Sequence, residues 1–237
     1  MDHPLQVFYR DAALAVCCKP AGCLSEAGPG RTLPALLAAE LAGKGEAEDV
    51  FTVHRLDREV AGLSVLARTH DAASALIDQF AAHTVDKEYY AVLRGAPAEA
   101  AAVLEDLLYR DARKNKSYVV NRERRGVRRA KLQYRVIASA KDGAQDLTLV
   151  RIRLFTGRTH QIRVQFASRQ LPLVGDGRYG GRDDRCSIAL FSCLLAFDHP
   201  ETGRRMRFYQ APDRDAFPWN LFPRERYVSV SPFSTSA

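Results

Sequence analysis

Hydrophobic and polar positions alternate in short blocks along most of this chain. Gln6-Val7-Phe8-Tyr9 and Leu14-Ala15-Val16-Cys17-Cys18 predict a strand pair around Asp11-Ala12-Ala13, and Lys19-Pro20-Ala21-Gly22 ends it. Phe51-Thr52-Val53 leads into a charged stretch, His54 to Glu59, and Leu63 to Ala67 leads out: strand, short loop, strand. Further strands are expected over Lys87–Leu93, Leu104–Tyr109, Tyr118–Val120, Ala130–Ala138 and Leu147–Leu154, the last two turning at Lys141-Asp142-Gly143. Ile188–Phe197 and Arg205–Gln210 form a final pair around His199-Pro200-Glu201-Thr202-Gly203.

Three segments have helical spacing instead. Thr32 is placed to cap a helix through Leu33, Leu36, Leu37 and Leu41. Asp71 is read as the cap of a helix from Ala72 to about His83, with Ala73, Leu76, Ile77 and Phe80 as its core stripe. Thr159 is read as the cap of a third, His160 to about Ser168, packing through Ile162 and Phe166 and setting Arg163 off that face. Strands predominate, so the class is α+β, largely antiparallel by connection length. One domain over residues 1–227, with no appended module, is followed by a loose Ser-rich tail at 228–237.

Composition narrows the setting. With 237 residues and 46% hydrophobic content the chain can bury a sizeable core. Met1-Asp2-His3-Pro4 is polar with no apolar segment behind it, and no run is long enough to cross a membrane. The five cysteines (Cys17, Cys18, Cys23, Cys186, Cys193) are odd in number, include an adjacent pair and contain no CxxC, against a disulfide framework or a zinc site. A reducing, cytoplasmic location is expected.

Charge adds a partner. The net charge is +7, yet Arg110 to Arg135 alone holds eleven Lys/Arg against two acids. The local excess of +9 leaves the other residues at −2, a basic face interleaved with Tyr109, Tyr118, Val119, Val120 and Tyr134. That is the footprint of a polyanion partner, with Arg124, Arg125, Arg128 and Arg129 as candidate phosphate contacts.

Alone, Asp57 in His54-Arg55-Leu56-Asp57 would read as an ordinary turn aspartate. Its company changes that. Lys19-Pro20-Ala21-Gly22, Lys87-Glu88-Tyr89-Tyr90-Ala91, Gly157-Arg158-Thr159-His160-Gln161-Ile162-Arg163-Val164, and Pro172-Leu173-Val174-Gly175-Asp176 with Tyr179-Gly180 follow in one order. With the HRLD block they resemble the RluA-type pseudouridine synthases over about Val7 to Pro212. The resemblance implies a bent mixed sheet with flanking helices and a central cleft, and isomerisation of uridine to pseudouridine in ribosomal or transfer RNA. An RNA-binding protein of this fold with little catalysis is the alternative.

The resemblance also assigns residues. Asp57 is the catalytic carboxylate, acting either at C1′ or on the C2′ proton, and Arg163 is the cation set against it. Tyr89 offers the uracil a flat face and a hydroxyl for C5 proton removal. Arg55 fills the gap left by a flipped nucleotide. His54, Arg158 and His160 join it among the substrate contacts, the two histidines in hydrogen-bonding roles and not as metal ligands. The reaction moves no electrons, so no cofactor is expected; the partner is RNA, with no membrane, and the chain is a monomer. Three places depart from the family pattern: Val60-Ala61 before Gly62, Gln165 after Arg163, and Phe191-Ser192-Cys193.

Overall fold

The computed structural model describes residues 5–231 and 233. The chain divides into two compact units, Met1–Asp86 with Ser192–Gln210 and Lys87–Phe191 with Ala211–Ala237.

In the first unit β1 (Val7–Arg10), β2 (Leu14–Lys19) and β4 (Ala61–Ala67) form antiparallel neighbours, with the short β3 (Phe51–Thr52) also on β4. β10 (Leu190–Asp198) lies beside β4, and β11 (Arg205–Tyr209) pairs with β10. Period two in the sequence becomes two packed faces. From β2, Leu14 and Val16 join Val65, Leu76 and Phe197 in one cluster. Ala15 and Cys17 join Leu33, Leu37, Leu41 and Leu66 in another. The helices α1 (Leu33–Ala42) and α2 (His70–Ala81) thereby cover opposite faces of β2. Burial pushes the Cys17 and Cys23 thiols up and the Cys18 thiol up to about 11, so these are packing groups.

In the second unit β5 (Asp86–Arg94), β6 (Ala101–Asp111), β7 (Lys116–Val120), β8 (Val127–Asp142) and β9 (Gln145–Leu154) pair antiparallel in the order β5-β9-β8-β6-β7. The helix α3 (Gln161–Ala167) packs Val164 against Leu108 and Ala130, and Phe166 edge-on to Tyr134.

Two helix starts differ from the sequence reading. α2 begins at His70 because Thr69, and not Asp71, accepts from the Ala72 N–H at 3.1 Å. α3 is not capped by the Thr159 side chain: His160 adopts a left-handed conformation ahead of it, and Gln161 Oε1 reaches back to accept from the Arg158 N–H at 3.0 Å. A glutamine inside the helix does the work expected of a hydroxyl before it. The segment read as a loose tail begins at Val228. Its first residues are tied down: Val228 N–H donates to Tyr90 Oη at 3.0 Å and Ser231 Oγ donates to Glu88 Oε1.

Gly62 is fixed by close approach. Its φ is +122°, and a Cβ there would lie 2.4 Å from Ser192 O and 2.5 Å from Ser192 N. β4 and the residue-192 backbone can run this close only without a side chain. Gly62→Ala is therefore expected to cost at least about 3 kcal/mol in urea unfolding, whereas Gly203→Ala, with nothing within 4 Å, should cost visibly less.

Candidate active site

The HRLD loop is fixed by its neighbours' backbone groups. Lys19 is fully buried, and its ammonium donates to the carbonyls of Cys23 at 2.6 Å, Arg58 at 2.9 Å and Pro20 at 3.0 Å. Burial pushes this amine down to about 8, still above neutrality, so near pH 7 it is charged and donates three hydrogens. Arg58 Nε donates to Gly22 O at 3.1 Å, and Val60 N–H closes a turn onto Asp57 O at 3.0 Å. Asp57 is half-buried between the buried Leu56 and Val60. Two apolar anchors thus flank the carboxylate, and the carbonyls of Asp57 and Arg58 are both bonded.

His54 Nε2 accepts from the Val65 N–H at 3.1 Å and lies 3.1 Å from Ser64 Oγ, while the ring stacks on Phe80 at 4.5 Å. A nitrogen accepting from an amide carries no proton, so this ring braces its own hairpin. Arg55 is exposed and Nη1 donates to Glu26 Oε1 at 3.1 Å.

In the second unit the arginine of α3 is the centre. Arg163 was set off the packed face by its spacing, yet it is buried. Asp176, itself fully buried, accepts from Arg163 Nε at 2.8 Å and Nη2 at 2.9 Å. One edge of the guanidinium fork is thereby locked, which a lysine could not reproduce. Tyr179 lies with its ring 5.2 Å from the Arg163 carbon. The Tyr179 hydroxyl accepts from Ser117 N–H at 2.8 Å and lies 3.0 Å from His160 Nδ1. Gln165 Nε2 donates to Asp106 Oδ2 at 2.7 Å, and Arg169 makes a fork to the same carboxylate at 3.0 and 3.1 Å. α3 is held at its start, middle and end.

Tyr89 is buried on β5 opposite Ile152. Its sequence neighbours Glu88 and Tyr90 engage Arg151: Glu88 Oε2 accepts from Nε at 2.7 Å and Tyr90 Oη from Nη1 at 3.1 Å. Tyr89 alternates to the other side of the strand.

Arg124, Arg125, Arg128 and Arg129 are all exposed. Arg124 stacks 4.8 Å over Tyr109, and Arg129 pairs with Glu123 at 2.6 Å. Three of them, with Leu107, Val127 and Glu123, line an open depression of about 490 Å³. Arg158 Nε donates to Arg129 O at 3.0 Å, and Ser117 Oγ donates to Thr159 O at 2.7 Å. The basic strands and the entry of α3 are therefore bonded to one another. Among the described residues no three His, Cys, Asp or Glu side chains gather in a way that could hold a metal ion.

Residues 13–168, well over half the chain, match the family model described as RNA pseudouridylate synthase. The chain belongs to the RluA-type family of RNA pseudouridine synthases, which are isomerases. Among its relatives is a ribosomal large subunit pseudouridine synthase D of Zymomonas mobilis, 34% identical over 87% of this chain and 69% of that one. An uncharacterized RNA pseudouridine synthase of Bacillus subtilis is 32% identical over 88% of this chain and 69% of its own length. The fold is shared with the human RNA pseudouridylate synthase domain containing 1, at a TM-score of 0.74 and 24% identity over 89% and 84% of the two chains.

Asp176, Tyr179 and Lys19 stand in motifs visible in the sequence of this pseudouridine synthase, but spacing gave none of them a role. The signal was there in part: Gly175 and Gly181 flank the Asp176 turn, and a Cβ at either would lie within 2.3 Å of a carbonyl oxygen. Removing the acid from a buried ion pair leaves an uncompensated cation. Asp176→Ala is expected to lose about 3–5 kcal/mol in chemical unfolding, and Lys19→Met, which strips three carbonyls of their donor, about 2–3 kcal/mol.

Proposed function

We propose that this chain converts specific uridines of ribosomal or transfer RNA to pseudouridine, with Asp57 as the catalytic carboxylate. The observation that carries this reading is the Asp57 loop itself. A half-buried carboxylate stands on a loop whose Asp57 and Arg58 carbonyls are bonded to Val60 and Lys19, in a chain whose family performs this isomerisation. Relatives named for the large ribosomal subunit favour ribosomal over transfer RNA.

The bond changes balance within one nucleotide. C1′–N1 breaks and C1′–C5 forms, the C5 proton leaves, and N1 gains one. No electrons are transferred, so the protein must supply a group to act on the sugar, a route for one proton and a hold on the loosened uracil. Asp57 is assigned the sugar, either as nucleophile at C1′ or as base at C2′. Tyr89, on a strand with Glu88 and Tyr90 locked behind it, is assigned to the uracil and the C5 proton. Arg163 is assigned to keep a carboxylate ionised and oriented, a task suited to a guanidinium already fixed along one edge. Arg55, His54, Arg158 and His160 are assigned to the flipped nucleotide and its neighbours. The arginines at 124, 125, 128 and 129 are assigned to phosphates, which supply affinity and position.

Asp57→Asn keeps the shape of the side chain, so it should fold and bind RNA. Pseudouridine formation should fall by about 10⁴-fold or more, read by mapping pseudouridine in RNA from cells with wild type, mutant or no protein. Unchanged modification would remove Asp57 from the chemistry, and binding with no modification even by wild type would favour the RNA-binding alternative. Activity should also survive exhaustive EDTA treatment. Replacing Arg124, Arg125, Arg128 and Arg129 together should weaken binding and flatten the slope of log affinity against log salt by roughly 0.7–0.9 per lost contact. The single-turnover rate at saturating RNA should change far less.

A further inference from the structure

The peptides around Asp57 can be accounted for one by one. The Asp57 carbonyl is taken by Val60 N–H and the Arg58 carbonyl by Lys19. The peptide immediately before Asp57 is held by neither. Its carbonyl, that of Leu56, accepts from Ser25 Oγ at 2.9 Å, and Ser25 Oγ in turn accepts from the Leu56 N–H at 2.9 Å. One buried hydroxyl thus satisfies both polar backbone groups of Leu56, as a neighbouring strand would. Ser25 is in turn held from outside: Thr52 Oγ1 donates to its carbonyl at 3.0 Å. The next residue, Glu26, meets Arg55. Residues 25 and 26 therefore run alongside 52–56 and fix how the chain enters the aspartate.

We propose that Ser25 is a positioning residue for the reaction: its hydroxyl sets the orientation of the Leu56–Asp57 peptide, and through it the direction in which the Asp57 carboxylate points. This rests on Asp57 being the catalytic carboxylate. A rotation of that peptide moves the carboxylate while leaving the RNA-binding face of the second unit untouched. Displacement of a reacting group by about 1 Å is worth up to 10²-fold in rate. Ser25 touches no reacting atom, so its effect must appear in the chemical step and not in affinity. The loop also keeps its Lys19 and Val60 bonds when the hydroxyl is gone, which lets the variant fold with a looser aspartate.

The test compares wild type, Ser25→Ala, Ser25→Thr and Asp57→Asn on one uridine-containing RNA fragment, by single-turnover rate at saturating enzyme, RNA Kd and thermal melt. Ser25→Ala is expected to slow the single-turnover step by about 10- to 100-fold with Kd within about twofold of wild type. Ser25→Thr, which restores the hydroxyl, is expected to recover most of that rate. A Ser25→Ala rate equal to wild type, with Asp57→Asn inactive, overturns the proposal and leaves the catalytic reading intact. If Asp57→Asn is fully active, the catalytic reading itself fails. Equal losses in Ala and Thr variants, tracking a lowered melt, mean that Ser25 only fills space and also overturn it. Should Ser25→Ala not fold, Thr52→Val decides: it removes the outer bond to Ser25 and is expected to slow the step by about 3- to 10-fold, and an unchanged rate rejects the proposal.

Discussion

A single buried ammonium holds the first unit's HRLD loop in place. Lys19 stands at the end of β2, where its ladder partner is Gly62 at the start of β4. The loop between β3 and β4 must leave the sheet and return within eight residues, 53–60, exposing carbonyls that no strand pairs. A lysine with three donors and no acceptor is suited to collect them, one from its own chain exit, one from Cys23 and one from the loop. A charge is costly to bury, but three carbonyl dipoles directed at it replace much of the lost hydration. Pro20 and Gly22 then follow from geometry: the chain has to fold back within four residues to bring the Cys23 carbonyl to the amine. Gly22, at a φ of +76°, is where it does so. The KPAG and HRLD motifs are thus two ends of one hydrogen-bonded object.

The second unit uses a different solution for the same need. Its helix α3 has only seven residues, too few to hold itself. Gln161 satisfies the incoming turn, Asp176 takes Arg163, and Asp106 takes both Gln165 and Arg169. Arg163 and the Gln165 amide nitrogen are matched to carboxylates from other segments, Asp176 and Asp106, which fix the helix rotation more sharply than apolar packing of Val164 and Phe166 could. Gln165 gives a physical account of one departure from the family pattern: its amide donates to Asp106 and to the Leu104 carbonyl at 3.3 Å, a bracing role. Ser192, another departure, donates to the Leu63 carbonyl at 3.1 Å, beside the glycine that approaches its backbone.

What the sequence revealed and what it hid divide along sequence separation. Strand alternation and the Leu33, Leu37, Leu41 stripe were legible because periodicity is local, and Thr32 caps α1 where its type and place indicated. The start of α2 was misread because Thr69 and Asp71 are both good caps two residues apart, and only backbone conformation chooses between them. The start of α3 was hidden because a left-handed histidine is rare and its cap comes from inside the helix. Arg163 stood out by its motif, but its burial did not, since its partner Asp176 is thirteen residues away. Ser25 gave no sign at all: no periodic pattern runs through it, and its partner Leu56 is thirty-one residues on.

The proposed separation of tasks between the two groups of residues has a physical basis. Phosphate contacts work at long range and tolerate imprecision, which is what the proposed docking role asks of these exposed arginines, even with Arg124 resting on Tyr109 and Arg129 shared with Glu123. Surface pairs of this kind are worth about 1 kcal/mol or less, and a phosphate can displace them at little cost. Bond making tolerates far less displacement, and the residues proposed for it are backed by buried groups with fixed partners: Lys19, Ser25, Asp176 and the Glu88–Arg151 pair behind Tyr89. In the proposed reading the residues that are expensive to bury set angles, and the arginines assigned to phosphates stay in water. Glu123, the acid among them, pairs with Arg129 at 2.6 Å, a surface contact weak enough for a phosphate to replace in that role.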